Sequence, residues 1–317
     1  MVVLIQKLTH FLKIPSKPEK RRSSYTAVDH QPSLTEFWSG VSSFLNQIQS
    51  DHTEEPPETE FWTLGRVQSF LEALSLIHKY FEKTAASDLA QPAGGGGCSW
   101  GEEITEEYLN YSFDLLGLLN CVSSSLSHLN QASVSLSIGL SRSDVSAKHL
   151  RKIQPLDLQG NFKVSGMKQE SADYTDKKER VIHEAMKITK GVSLWILGAV
   201  LSALCSDIRP YLELRKSALE PSGHDEPLLL GLDCRFNQEV MEKKHYVVKE
   251  VEEINKAVEA MLAAAAAGED VAGELGKQIQ LFEERLNGIS QQIDYLFLEV
   301  LAARNRVVDG LRLTGNN

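Results

Sequence analysis

The chain has 317 residues and is 42% hydrophobic, enough for one large helical domain or two smaller ones. Its net charge is −10, unevenly placed: residues 1–22 carry six basic side chains against Glu19 alone, which makes that segment +5 and the remainder −15. A body this acidic repels phosphates and excludes nucleic acid as its partner. The four cysteines, Cys98, Cys121, Cys205 and Cys234, include no C-x-x-C pair, so they predict neither a zinc site nor a disulfide framework. They read as reduced thiols, with Cys121 and Cys205 on buried apolar faces.

Residues 2–14 place Leu4, Ile5, Leu8, Phe11 and Leu12 on one helical face and polar residues on the other. Pro15 stops this pattern, and a linker containing Lys17, Lys20, Arg21, Arg22, Ser23 and Ser24 follows. Lys and His interrupt the apolar run, so it is not a secretory signal. Residues 1–32 are expected to stand apart from a single helical domain over 33–313, with 314–317 as a tail. Ser33-Leu34-Thr35-Glu36 is a capping box that opens a helix to about Gln49. An acidic, proline-broken loop over 51–59 precedes a second helix, from about Glu60 to Thr84. A Gly-rich loop over 85–102 leads to a third helix, in which Leu115, Leu119, Val122, Leu126 and Leu129 step by four and three.

Residues 141–175 read as irregular. A helix from about Asp176 then enters the most apolar stretch of the chain, Gly191 to Cys205, and ends before Pro210. Residues 220–233 read as a loop, with Leu228–Leu232 too short and Gly-interrupted for a strand. The C-terminal part carries two ladders. One is Val240, Val247, Val251, Ile254, Val258 and Met261. The other is Leu275, Ile279, Phe282, Leu286, Ile289, Ile293, Leu296 and Val300, with unbroken steps of four and three. That 3.5-residue period marks a coiled-coil-like seam, and the turn at 268–273 predicts a hairpin. The expected fold is all-α: an elongated multi-helix bundle with long antiparallel helices and a C-terminal coiled-coil-like helical hairpin. Its seam would close the bundle around Gly191–Cys205.

Three segments, 108–131 with its Leu129-Asn130-Gln131 end, 191–207 and 286–312, occur in an order and spacing that resembles the plant BYPASS family, related to the ROH-type exocyst-interacting proteins. The resemblance covers about residues 33–313. It implies an all-helical, non-enzymatic plant protein of root and shoot development, which restrains a root-derived mobile signal. It also implies a rival reading, a trafficking adaptor that binds a helical exocyst subunit. No catalytic residues are defined in the family, and the N-terminal segment matches no pattern of it.

Candidate sites are few. Leu194, Trp195, Ile196, Leu197, Val200, Leu201 and Leu204 line a helix that is either buried or membrane-inserted. Only 16 residues separate Lys190 from Asp207, short of the roughly 20 a bilayer core needs. The N-terminal face, with Lys17, Lys20, Arg21 and Arg22 on anionic lipid, has three readings: an in-plane anchor, a docked helix or an organelle-targeting peptide. Phosphorylation of Ser23 or Ser24 would weaken the anchor. His183-Glu184 begins like H-E-x-x-H, but Lys187 replaces the second ligand. Gly94–Gly97 lacks the ending of a phosphate loop, and Ser222, His224 and Asp225 are neighbours in sequence only. Glu250, Glu252 and Glu253 read as a solvated flank. A helical-bundle metalloenzyme would need two E-x-x-H motifs, and only Glu242 to His245 fits. Asn110-Tyr111-Ser112 is a glycosylation sequon inside a predicted helix. The chain is therefore expected to be no enzyme and to use no metal, cofactor or small-molecule substrate. Its expected partners are other proteins and a membrane surface, from a cytoplasmic location on the membrane's cytosolic face.

Overall fold

Apolar residues at steps of three and four dominate each long element, and the elements are helices. The computed structural model describes residues 32–50, 62–89, 100–141, 150–158, 162, 164, 177–219, 227–243, 247–267 and 272–314. Among these there is no strand. The helices are α1 (Pro32–Ser50), α2 (Leu64–Leu89), α3 (Glu102–Ser141), α4 (Lys177–Cys205), α5 (Arg209–Leu219), α6 (Pro227–Lys243), α7 (Lys249–Ala267) and α8 (Ala272–Thr314). The protein is an all-α multi-helix bundle, and the described elements all belong to one unit, Pro32–Asn317.

The apolar helix α4 packs on α5, α3 and α2, and more lightly on α1. The seam residues of α8, Leu275 to Val300, are all buried. Their main neighbours are not the hairpin partner α7 but α3 and α2. The seam thus closes the bundle over α2 and α3, which in turn carry α4. Polar contacts fix the register of α8 on α2. Gln292 Nε2 donates to the Gln68 carbonyl (3.4 Å), Ser75 Oγ to Glu299 (3.1 Å) and Arg306 Nη2 to Glu82 (2.9 Å). Each pair is separated by the same 224 residues. Successive rungs stand one heptad apart on both helices, so α2 and α8 run in the same direction. On the other flank, Ser137 of α3 bonds Glu283 (3.2 Å), while Arg304 reaches the Leu109 carbonyl and Ser112 Oγ (2.8 Å). These contacts join the end of each helix to the beginning of the other.

Several boundaries differ from expectation. Helix α2 begins at Leu64, not Glu60, because Thr63 caps it: Thr63 Oγ1 accepts from the Arg66 amide at 3.1 Å. It runs on to Leu89, and α3 starts at Glu102, so helix covers both ends of the expected 85–102 loop. Residues 227–233 are helical rather than loop. Pro227 stands at the start of α6, where its fixed φ suits a first turn and its missing N–H costs nothing. The first ladder is broken, with Val240 in α6, Val247 between helices and Val251 to Met261 in α7, since α6 ends at Lys243 and α7 begins at Lys249. Residues 150–158, 162 and 164 have no regular structure, but the segment around Ile153 is tied down. Asn255 of α7 accepts from the Ile153 amide (2.7 Å) and donates to the Ile153 carbonyl (3.1 Å), and His128 of α3 bonds the Gln154 carbonyl (2.9 Å).

Helix α4 stops at Cys205 through its backbone. The Asp207 amide donates to the Ser202 carbonyl (3.1 Å) and the Ser206 amide to the Ala203 carbonyl (3.4 Å). Ser206 sits between them at φ 52°. This is a Schellman ending with serine at the left-handed position that glycine favours. Ser206→Gly is accordingly expected to stabilise the fold by about 0.5–1 kcal/mol, from the relieved left-handed cost, read as a raised midpoint in urea unfolding.

Candidate functional site

All seven expected central-helix residues, Leu194, Trp195, Ile196, Leu197, Val200, Leu201 and Leu204, are buried within the bundle. The helix is long and apolar enough by composition to cross a membrane, yet its apolar window is 89% buried inside the protein. Gly198 lets α5 approach closely: a Cβ there would lie 3.2 Å from Leu214 Cβ and from the Tyr211 backbone. The expected membrane-contacting residues Leu4, Ile5, Leu8, Phe11, Leu12, Lys17, Lys20, Arg21 and Arg22, and the phosphorylation candidates Ser23 and Ser24, lie outside the described residues.

Where α4, α5 and α6 meet, the structure assembles a polar hub that sequence reasoning missed. Asp233 of α6 is 2% exposed. Its carboxylate accepts from Trp195 Nε1 on α4 (3.0 Å) and from the Tyr211 hydroxyl on α5. It also accepts from Arg215 Nε (2.8 and 2.9 Å) and Nη2 (2.6 Å) on α5, and from Asn237 Nδ2 one turn along α6 (3.1 Å). Phe236, Phe70 and Tyr211 present ring edges and faces around Trp195 at centroid distances of 5.8, 5.8 and 6.5 Å. A buried carboxylate is tolerated only when paired and hydrogen-bonded, and here donors from three helices use its lone pairs. The hydrogen bond from Arg215 holds the guanidinium pKa above its usual value, and burial pushes the Tyr211 phenol up. The chemistry of this arrangement is clasping. The carboxylate offers no free acceptor position to a substrate proton or a cation.

A second buried cluster joins α2, α3 and α4. The Tyr111 hydroxyl lies 2.9 Å from His78 Nε2 and 3.0 Å from Ser193 Oγ, and Ser193 Oγ donates to the Thr189 carbonyl (2.5 Å). The His78 and Tyr111 rings stack with an interplanar angle of 4°. Burial lowers the His78 pKa to about 4 and raises that of Tyr111. His78 is therefore neutral in the folded state, while in the unfolded chain it takes a proton below about pH 6.5. The unfolded state binds more protons between these values, so stability falls as pH drops through that window. The expected loss is about 2 kcal/mol between pH 7 and pH 5 from this group. Urea unfolding should show a shallower loss over the same interval in His78→Gln.

Glu250 is no solvated flank. Its carboxylate accepts from the Leu64 amide (3.1 and 3.0 Å) at the positive N-terminus of α2, and Arg285 Nη1 of α8 donates to it at 2.6 Å. These residues, with Thr63, Gln68, Lys249 and Glu253, line a shallow cleft of ≈ 490 Å³. His183 pairs with Glu107 at 3.3 Å. Among the described residues no group of three or more His, Cys, Asp or Glu converges to hold a metal. Cys205 is buried and its thiol is pushed up to about 11 by burial, whereas Cys121 is only half-buried and Cys234 is exposed. The sequon lies within α3, with Tyr111 and Ser112 buried. No family model, curated protein or solved structure matches the chain.

Proposed function

We propose that this chain is a non-enzymatic helical scaffold that works through protein–protein contact and is held at a membrane surface by its basic amphipathic N-terminal segment. The observation that carries this reading is the burial of Leu194 to Leu204. The longest apolar run of the chain is consumed inside the bundle, which leaves residues 1–22 as the segment with both an apolar face and a cluster of positive charge. The saturated carboxylate of Asp233 supports a structural use of the most buried polar chemistry. The resemblance to the BYPASS family points this scaffold toward regulation of root and shoot development.

The test is flotation of the purified full chain and of a chain lacking residues 1–22 with vesicles containing phosphatidylserine. The full chain is expected to float with the vesicles and to detach as salt rises, because each basic residue near the surface contributes on the order of 1 kcal/mol. Loss of flotation on deletion supports the reading; a truncated chain that still floats overturns it.

A further inference from the structure

Helix α3 has an outer face unlike that of any other long element. No Asp, Glu, Lys or Arg occurs between Asp114 and Arg142, in a chain that is 24% charged. The inner face, including Leu115, Leu119, Val122, Leu126 and Leu129, is buried in the bundle. The outer face is exposed to solvent and carries Phe113 (69% exposed), Val134 (44%) and Ile138 (54%). A helix face turned to water ordinarily carries charge. This one carries serine and amide side chains between apolar ends. Two of its serines already bond their own helix, Ser124 Oγ donating to the Asn120 carbonyl (2.8 Å) and Ser135 Oγ to the Gln131 carbonyl (2.7 Å), while Ser127 Oγ accepts from Gln131 Nε2 (3.5 Å). Excluding water from such hydroxyls leaves them satisfied.

Eight of the exposed residues, from Phe113 to Ile138, step by four and three, the spacing of a helix–helix seam, with the exposed Ser123 and Ser135 beside them. Reversed against itself about its midpoint, the seam sets Phe113 against Ile138 and Gly117 against Val134. Nearer the centre it sets Asn120 against Gln131 and Ser124 against Ser127. Apolar meets apolar, small meets branched, amide meets amide and hydroxyl meets hydroxyl. We propose that a second copy of this chain docks on this face, α3 against α3, running in opposite directions about a two-fold axis between Ser124 and Ser127.

Charge and symmetry favour a second copy over another occupant. With a net charge of −10, two copies repel one another over most approaches. Along this face they can meet with no charge opposed, and a two-fold interface requires a self-complementary patch. The middle of the seam is too polar for the acyl region of a membrane, where its amides would lack partners, whereas across a two-fold Asn120 and Gln131 pair with each other. The seam is about 38 Å long, from 1.5 Å per residue. A single helix face of that length buries less than the ~800 Å² per partner of a standard interface. The dimer is therefore weak and concentration-dependent, and it forms independently of any membrane attachment.

Sedimentation velocity of the full chain from about 1 to 100 µM tests this through mass action. The wild type is expected to shift from monomer to dimer across the series. Ser124→Glu with Ser127→Glu brings four carboxylates together at the axis and is expected to weaken the dimer more than tenfold. Ser124→Glu with Ser127→Lys sets each new carboxylate against the partner's new ammonium and is expected to restore it. Both double variants change only exposed positions, so their thermal unfolding should match the wild type. A chain that stays monomeric at the highest concentration overturns the proposal. So does a dimer indifferent to the first pair of changes, or one that the second pair also breaks. Vesicle binding through this face without self-association would assign it to a membrane instead and overturn the proposal as well.

Discussion

Asp233→Ala is expected to cost about 3–5 kcal/mol of folding stability, the range for removing one partner of a buried ion pair. The cost comes from what remains. Arg215, half-buried between α5 and α6, would keep its charge, and the Trp195 indole N–H and Tyr211 hydroxyl would point at a void. Urea unfolding followed by tryptophan fluorescence measures the loss. A decrease under 1 kcal/mol would show that water or a neighbouring side chain replaces the carboxylate. The double variant Asp233→Leu with Arg215→Met separates a clasp that specifies geometry from one that adds stability. Replacing a buried ion pair by apolar groups of similar volume is often neutral or stabilising by about 1–4 kcal/mol. The double variant should therefore be far more stable than Asp233→Ala, even though it removes both charges.

Trp195→Ala is expected to cost about as much, roughly 3–5 kcal/mol, by a different route. Trp195 is among the largest fully buried side chains, and its ring contacts Phe70, Phe236 and Tyr211. Removing it opens a cavity at the junction of α2, α4, α5 and α6. Trp195→Phe keeps most of the ring volume and deletes only the donor to Asp233, which should cost about 1–3 kcal/mol. The difference between the two variants apportions the cavity and the hydrogen bond. Near-ultraviolet circular dichroism, which reports the asymmetry of packed aromatic rings, should collapse with alanine and persist with phenylalanine.

The sequence tells which face of each helix is buried better than which helix covers it. The seam Leu275–Val300 is legible from its steps alone, because a 3.5-residue period keeps one stripe against a neighbour. Its neighbours are not legible: periodicity carries no address, and the rungs from Gln68 to Gln292 and from Glu82 to Arg306 join residues 224 apart. The end of α4 before Pro210 follows from a local signal. The first part of the helix at Pro227–Lys243, up to residue 233, reads as loop because Pro227 and Gly231 look like loop residues, although proline suits a first helical turn. Asp233 is missed for a related reason. An acid inside the run Leu228 to Phe236 has no charged or aromatic donor to it nearby in sequence, only Asn237 one turn on. Its partners, Trp195, Tyr211 and Arg215, converge only once α4, α5 and α6 have packed. Glu250 likewise looks like part of an acidic surface until the amide of Leu64, 186 residues away, is brought to it.

The shared register of α2 and α8 also bears on how the chain is made. During synthesis the first helices leave the ribosome long before α8, and until α8 arrives the stripes of α2 and α3 that it covers have nothing to cover them. Contacts between segments 224 residues apart close a large loop and form late. The nascent protein therefore holds α8 as the element that closes these stripes, and the time before it arrives is a period of risk for aggregation. A premature stop before Ala272 would release a chain with two open apolar stripes and no means of closing them. Such products are substrates for chaperones and proteases.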